Sequence, residues 1–384
     1  MDSICTNNRF SLLMPLPLLV LIAAQIVPGT FAKKHSKLSE ETRTLDQLYA
    51  AALKEGGRLI VYAGGDTPAS VDRFKKAFEK RFPNITFDVI VDYSKFHGPR
   101  IDHQLDTNTL VPDVVQLQTL QEFPRWKAMG VLMPYKPAGW SAIYKDYRDK
   151  HGYFTGIFID SFSNIVNSKL MPNQKDWPLE ASDYLKPAFS GQKLAITYPT
   201  DDDAVLFWFK QVIDIYGWQW VPKFAQQKPI WTRGTQDPSN MVENGTVLAT
   251  MTTDGMMKPG PTTATRFVLP KRDPFVFWAQ QAAIFKKAKH SETAKLYLNW
   301  VLDKDTQANV WYMWPVRKDV PPPEGFRQSW EYPKQTSHKA FAKFMSDREA
   351  VERFRTQISL YLGEAQGPPS PGLPGIHPDK ALPH

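Results

Sequence analysis

The sequence predicts an α/β protein of two domains, and three observations lead there. Short runs rich in β-branched and aromatic residues alternate with segments of helical spacing, the pattern of strands and helices taken in turn. The 384 residues exceed what one core usually holds, because chains tend to split into domains beyond about 250 to 300 residues. A hydrophobic content of 42 % beside 22 % charged residues is that of a folded globular chain.

The amino end stands apart from this pattern. Arg9 precedes the apolar run SLLMPLPLLVLIAAQIV, and PGTFA then supplies small residues at Thr30 and Ala32 ahead of KKHSK, so residues 1–32 read as a secretion signal. Pro15 and Pro17 interrupt the run and no second long apolar stretch follows, which argues against membrane insertion. The single cysteine, Cys5, falls inside the signal and ahead of its apolar core, where a lipoprotein's lipid-bearing cysteine does not sit. The mature chain is therefore expected to have no disulfide, no thiolate metal ligand and no thiol nucleophile. A secreted protein, extracellular or periplasmic, is the expectation. Asn84 (NIT) and Asn244 (NGT) are sequons that a eukaryotic host would glycosylate.

Along the mature chain, GRLIVYAG (57–64) reads as a buried strand. It leads into GDTPASVDRFKKAFEKRF, where Val71, Phe74, Phe78 and Phe82 recur on one helical face behind the cap Thr67 and the first-turn Pro68. TFDVIVDYS (86–94) and DVVQLQ (113–118) are the next strands, and for the helix after them Thr119 with Glu122 suggests a capping box while Pro124 equally suggests a later start near Phe123. KLAITYP (193–199) feeds the acidic triplet of TDDDAVLFWF and a helix with Leu206, Phe209, Ile213 and Tyr216 on one side, stopping at Gly217. TVLATMTTD (246–254), TRFVLP (265–270) and FVFWAQQAAIF (275–285) complete the strand set. Ala294, Tyr297, Leu298, Val301 and Leu302 make a helical stripe behind the cap candidate Ser291. Phe341, Phe344, Met345, Phe354, Ile358 and Leu362 suggest one or two further helices. Residues 366–384, dense in Pro and Gly, are expected to be a disordered tail.

The segments LYAAALKEGGRLIVYAGGDTPASVDRFKKAFEKRFPNITFDV, DVVQLQTLQEFPRWKAMGVLMPY, GYFTGIFIDSFSNIVNSKLMP and FVLPKRDPFVFWAQQAAIFKKAKHSETAKLYLNWVLDKDTQ resemble the extracellular solute-binding proteins of ABC importers. The most specific part is KKAKHSETAKLYLNWVLDKDTQ, which matches that family's alanine-rich helix ending in Gln. The branch resembled is the ferric-ion and thiamine group with the type II periplasmic-binding fold. The resemblance implies two lobes, each a mixed five-stranded sheet flanked by helices, with a hinge of two crossing strands near FTGIFIDSF (154–162) and TRFVLPKRDPF (265–275). It implies residues 41–157 plus 270–365 for lobe one and 158–269 for lobe two. The ferric-binding members carry adjacent tyrosines after the strand corresponding to TVLATM, whereas this chain continues TTDGMMKPG, which speaks against ferric iron.

In open α/β sheets ligands bind beyond the carboxyl ends of strands, where helix amino ends point. Four such ends are expected in the cleft: Gly64, Gly65, Asp66 and Thr67; Gln118 and Thr119; Thr200, Asp201, Asp202 and Asp203; Thr253 and Asp254. The glycines at 64 and 65 permit close backbone approach, either for amides that hold a ligand oxygen or for a plain strand-to-helix turn. Asp at a helix amino end caps it and opposes the dipole, worth about 0.3 to 1 kcal/mol at the surface. That accounts for one or two of the three aspartates; the remainder favours a cationic or hydroxyl-bearing ligand over an anion, with a divalent ion as the alternative. Asp160 and Ser161 fall in the first crossing strand, facing the cleft or satisfied within a hinge. Trp231 and Arg233 stack on and fork to a ligand, or fill a core and pair structurally. His97, His103 and His151 lack metal-ligand spacing and are expected at the surface.

The function expected is capture of a small polar, cationic or heteroaromatic solute, without catalysis, since no Gly-x-Ser-x-Gly, His-Glu-x-x-His or phosphate loop is present. The partners expected are a small-molecule ligand and, in a bacterial host, a membrane permease; the protein is expected to be a monomer. No cofactor is expected. The net charge of +8 comes from scattered Lys and Arg without a basic stripe, so no nucleic-acid partner is expected. Two alternatives stand beside this reading: an enzyme on the same fold using cleft carboxylates for metal-assisted or acid/base hydrolysis, and a eukaryotic secreted scavenging or interaction protein without a transporter.

Overall fold

The chain opens with α1 (Leu45–Lys54), β1 (Arg58–Gly64), α2 (Asp72–Arg81), β2 (Thr86–Asp92), α3 (Ser94–Asp106), β3 (Val114–Leu117) and α4 (Glu122–Ala128). Two consecutive strands follow, β4 (Thr155–Phe162) and β5 (Asn164–Asn167), then β6 (Ala195–Thr197), α5 (Asp203–Tyr216), α6 (Trp220–Ala225), β7 (Ile230–Thr232), α7 (Gln236–Glu243) and β8 (Ala249–Thr250). The return runs through β9 (Thr265–Val268) and β10 (Val276–Ile284), and α8 (Ser291–Val301), α9 (Lys304–Asn309), α10 (Ala340–Ser346) and α11 (Arg348–Leu362) close the sequence of elements. This computed structural model describes residues 38–332 and 336–367. The expected secretion signal, with Cys5, and all of the expected tail beyond Gly367 lie outside them.

The first sheet is mixed, in the order β2-β1-β3-β10-β4, with β1, β2 and β3 parallel and β10 antiparallel to both its neighbours. The second has the order β8-β5-β9. The parallel pair β6-β7 is stitched to its edge by a bridge between Leu194 and Ala249 and by the Thr197 N–H, which donates to the Thr252 hydroxyl at 2.9 Å. Each sheet therefore places a parallel pair at one end and the crossing strands at the other. β4 leads straight into β5, and β9 into β10, so these two segments join the sheets. Side-chain bonds tie them together: the Ser163 hydroxyl donates to the Val268 carbonyl at 2.7 Å and the Ser161 hydroxyl to that of Val276 at 3.2 Å.

Apolar spacing explains most of the packing. Val71, Phe74, Phe78 and Phe82 are all buried as their periodicity predicts, against Phe87, Tyr297 and Trp300. A fully buried side chain of this size stabilises the fold by about 1.5–3 kcal/mol. The second core gathers around α5, where the structure departs from the expected one-sided stripe. Phe207 and Trp208 are buried as well as Leu206 and Phe209, because Phe341 and Phe344 of α10 cover Phe207 and Trp220 of α6 packs on Trp208. The last two helices, α10 and α11, pack on α5 and α6.

Several local expectations are corrected. The capping box at Thr119 does not form: the Glu122 N–H donates to the Thr119 carbonyl and the Thr119 hydroxyl has no partner. The cap of α8 is not Ser291 but the carboxylate of Glu55, which accepts from the N–H groups of Glu292 at 2.8 Å and Thr293 at 3.1 Å. A residue distant in sequence satisfies those donors, which no local motif announces. α3 has no apolar stripe and contains Gly98 and Pro99, so periodicity does not find it. His97, on that helix, is fully buried instead of at the surface. Its ring lies 4.7 Å from that of Tyr62, and burial pushes it down to about 3, so it stays neutral. His103 and His151 are exposed.

Phe209, without solvent exposure and in edge contact with Trp220 and Phe224, tests the second core. Phe209→Ala is expected to lower the unfolding free energy by about 3–5 kcal/mol in urea denaturation; a loss below about 1 kcal/mol would show that α5 does not anchor this core.

Candidate ligand-binding site

A cavity of about 240 Å³ opens where the strand ends of both sheets meet the crossing strands. β1 delivers Gly64, Gly65 and Asp66 to its wall, and the turn after β3 delivers Gln118 and Thr119. Asp201, Asp202 and Asp203 come from the junction of β6 and α5, and Asp254 from the segment after β8. Asp160 on β4 lies opposite Trp278 on β10, and both face the cavity.

Of the positions expected from the sequence, these ten line the cavity, while Thr67, Ser161, Thr200, Trp231, Arg233 and Thr253 do not. The reasons are local. The Thr67 N–H donates to Ser70 Oγ at 3.1 Å, and the Gly65 N–H to the Asp92 carbonyl at 3.1 Å, so the turn after β1 uses these amides itself. Gly64 is required for close packing, since a Cβ there would lie 2.2 Å from Ser94 Oγ. Ser161 is the hinge residue already described. Trp231 stacks on Tyr198 at 5.3 Å, and the Thr253 hydroxyl faces Asp254 at 3.4 Å. Thr200 presents its carbonyl to Arg355 at 2.8 Å.

The three consecutive aspartates have three separate roles. Asp201 is buried and accepts from Lys95 Nζ at 2.8 Å, Arg233 Nη2 at 2.7 Å and Nε at 3.1 Å, and the Gly234 N–H at 3.2 Å. Burial opposes its ionisation, but the Arg233 bonds and the Lys95 charge outweigh it and hold its carboxyl below the usual range. Arg233 is thereby a structural ion-pair partner. Asp202 caps α5, accepting from the N–H groups of Ala204 at 2.8 Å and Val205 at 2.9 Å. Asp203 pairs with Arg355 and Arg348 from α11.

Four carboxyls of the cavity hold their protons more tightly than usual. Burial, and then the charge of Asp254, hold the Asp160 carboxyl well above its usual range, and its Oδ1 is buried without a hydrogen-bond partner. Burial followed by the Asp66 charge raises Asp254, burial raises Asp66, and burial pushes Asp202 up to about 6. Of the cations on the wall, Lys95 is engaged by Asp201, and Arg73 donates to the Asn309 carbonyl at 3.0 Å with its guanidinium over Tyr312. Aromatic rings supply the rest: Phe158 against Trp311 at 4.4 Å, and Phe162 edge-on to Trp278 at 5.1 Å. The arrangement can take a positive charge onto carboxylates and a flat apolar group onto rings. Among the described residues, no group of three or more His, Cys, Asp or Glu side chains is placed to hold a metal ion, and no helix is long and apolar enough to cross a membrane.

Sequence reasoning missed Tyr93, Ser94 and Lys95, which follow β2; the strand-end rule, applied to that strand too, finds them. It also missed Thr235 and Gln236, because β7 has only three residues. Both sequon asparagines, Asn84 and Asn244, are exposed.

Residues 63–308 match the family model described as "Bacterial extracellular solute-binding protein". No curated protein matches the sequence. Among solved structures, the fold is similar to iron-bound HitA from Pseudomonas aeruginosa (TM-score 0.59, 16 % identity, 78 % of this chain and 99 % of that one). It is also similar to AfuA from Actinobacillus pleuropneumoniae with fructose-6-phosphate bound (0.60, 17 %, 81 % and 100 %). A third is the substrate-binding protein of an ABC transporter from Agrobacterium tumefaciens (0.64, 15 %, 79 % and 94 %). The fold is that of the two-lobed type II periplasmic-binding proteins.

The raised carboxyls fix a pH dependence. Each binds its proton more tightly in the folded chain, so its contribution to stability is complete below the unfolded value near 3.8 and is lost as pH rises through the folded value, about 6 for Asp202. Asp202 therefore gives the melting temperature of the ligand-free protein a downward slope from about pH 4 to pH 7, which the buried, neutral His97 opposes over the same range. Asp202→Asn, which keeps the cap oxygen and removes the charge, is expected to flatten that slope in thermal melts; an unchanged slope would remove Asp202 from the titrating set.

Proposed function

We propose that this chain, which belongs to the family of bacterial extracellular solute-binding proteins, captures a small organic cation carrying an aromatic or heteroaromatic ring. The observation that carries this reading is one cavity whose lining combines Asp66, Asp160, Asp202 and Asp254 with aromatic rings, while Lys95 and Arg73 are engaged elsewhere. A positive charge entering there gains partners that are already desolvated, where ion pairing is strongest, and the rings of Trp311 and Trp278 offer faces and edges for stacking. An anion such as a sugar phosphate meets carboxylates instead. A bare metal ion meets aspartates that are not gathered into a ligand set.

On this reading the lobes are residues 41–157 with 270–332, and 158–269, the second joined by α10 and α11, which pack upon α5 and α6. The ligand is taken up outside the cytoplasmic membrane and passed to an ABC permease, the role of the family. Raised carboxyl pKa values are also a mark of acid/base enzymes. An unfilled cation site has the same mark, because its carboxylates keep protons until a counterion arrives.

A thermal-shift panel of polyamines, quaternary ammonium compounds, thiamine, sugars, sugar phosphates and metal salts separates these readings. An organic cation at about a hundredfold excess over its Kd should raise the melting temperature by several degrees. Calorimetry near pH 6 in buffers of different ionisation enthalpy should show proton release on binding. No gain from any cation, or a gain confined to anions, would overturn the reading, and turnover of a stabilising compound would replace it with catalysis.

A further inference from the structure

The turn Arg233-Gly234-Thr235-Gln236, which leads from β7 into α7, points three successive amides at carboxylates. The Gly234 N–H donates to Asp201 Oδ2 at 3.2 Å, and the Thr235 and Gln236 N–H groups both donate to Asp66 Oδ2, the latter at 2.8 Å. The Thr235 hydroxyl adds a fourth bond, to Asp66 at 2.9 Å. Gly234 has φ +75°, in the left-handed region, and a Cβ on it would lie 2.8 Å from Tyr93 Oη, so only glycine allows the turn. Consecutive amides at the start of a helix, with a left-handed residue before them, form a concave site suited to an oxyanion. Here the oxyanion is internal, and it arrives from the far side: Asp66 follows β1 of the first sheet, whereas α7 belongs to the second.

We propose that Asp66 determines the charge selectivity of the cavity, by standing where the oxygens of an anionic solute would bind. Its carboxyl oxygen satisfies the donors of α7, so that anions find no free amides there. An independent observation lies in the wall of the same cavity: Thr119, one of its lining residues, is 5 % exposed and its buried hydroxyl has no hydrogen-bond partner. The inference rests on the cation-capture reading only for what the cavity admits; what it rejects follows from the occupied amides alone.

The test uses the full chain and inorganic phosphate and sulfate as probes, in calorimetry and thermal shift near neutral pH and low salt. The wild type should bind neither. Asp66→Ala empties the site, and phosphate affinity should rise by about tenfold or more above the wild-type level, then fall back when Thr235→Ala is added. Circular dichroism and a cooperative melt establish that the variants are folded. Equal phosphate affinity in wild type and a folded Asp66→Ala would overturn the proposal. Should the alanine variant fail to fold, Asp66→Ser, whose shorter side chain also withdraws from the Thr235 and Gln236 amides, takes its place: phosphate affinity above that of the wild type supports the proposal, and equal affinity overturns it. A phosphate gain stands even where no cation in the panel binds the wild type, so the two readings fail separately.

Discussion

Asp201 holds the two sides of the cleft to one another. Its side chain is only 2 % exposed, and an unpaired charge there would cost several kcal/mol. Two cations make the burial tenable, and they come from opposite directions: Lys95 from the helix after β2, Arg233 from the turn after β7. The planar fork of Arg233 fixes that turn. Gly234 is thereby set in place, and with it the amides that receive Asp66. Lys95, which also donates to the Asp201 carbonyl at 2.6 Å, is withdrawn from the cavity by the same arrangement. The surplus of carboxyls on the cavity wall is thus a consequence of how the two ion pairs of Asp201 are built.

Protonation and selectivity share a cause. Phe158, Phe162, Trp278 and Trp311 exclude water from the wall, which makes an isolated carboxylate costly and a carboxylate with a cation favourable. Asp160 shows the first consequence: burial and then the Asp254 charge make it hold its proton more tightly, and Oδ1 has no partner. On the cation reading, tightly held protons in the empty cavity and ion pairs in the filled one are two states of one set of residues.

The strands were legible because β-branched runs such as GRLIVYAG bury both faces, and the rule of strand carboxyl ends then led to Asp66, Thr119, Asp202 and Asp254. Asp160 followed from the crossing strand of the resembled family. What escaped the sequence depends on contacts distant along the chain. Glu55 caps α8 from 236 residues or more away, and Asp66 meets Gln236 across 170. His97 looked like a surface residue because α3 has no apolar period, yet Tyr62 covers its ring. The acidic triplet, read as one or two caps and a remainder, divides into an ion pair, a cap and a docking point. Only the position of Arg355 on a helix far downstream reveals the last of these.

β10 lies between β3 and β4, so the first sheet cannot be completed until residue 284 is available to separate two strands made long before it. Asp203 likewise waits for Arg348 and Arg355. Pairings of such sequence separation form slowly, since the intervening chain must first be confined. The order of synthesis therefore leaves the cavity open to the last: its walls exist early, but the strand that closes one and the arginines that brace the other belong to the final third of the chain.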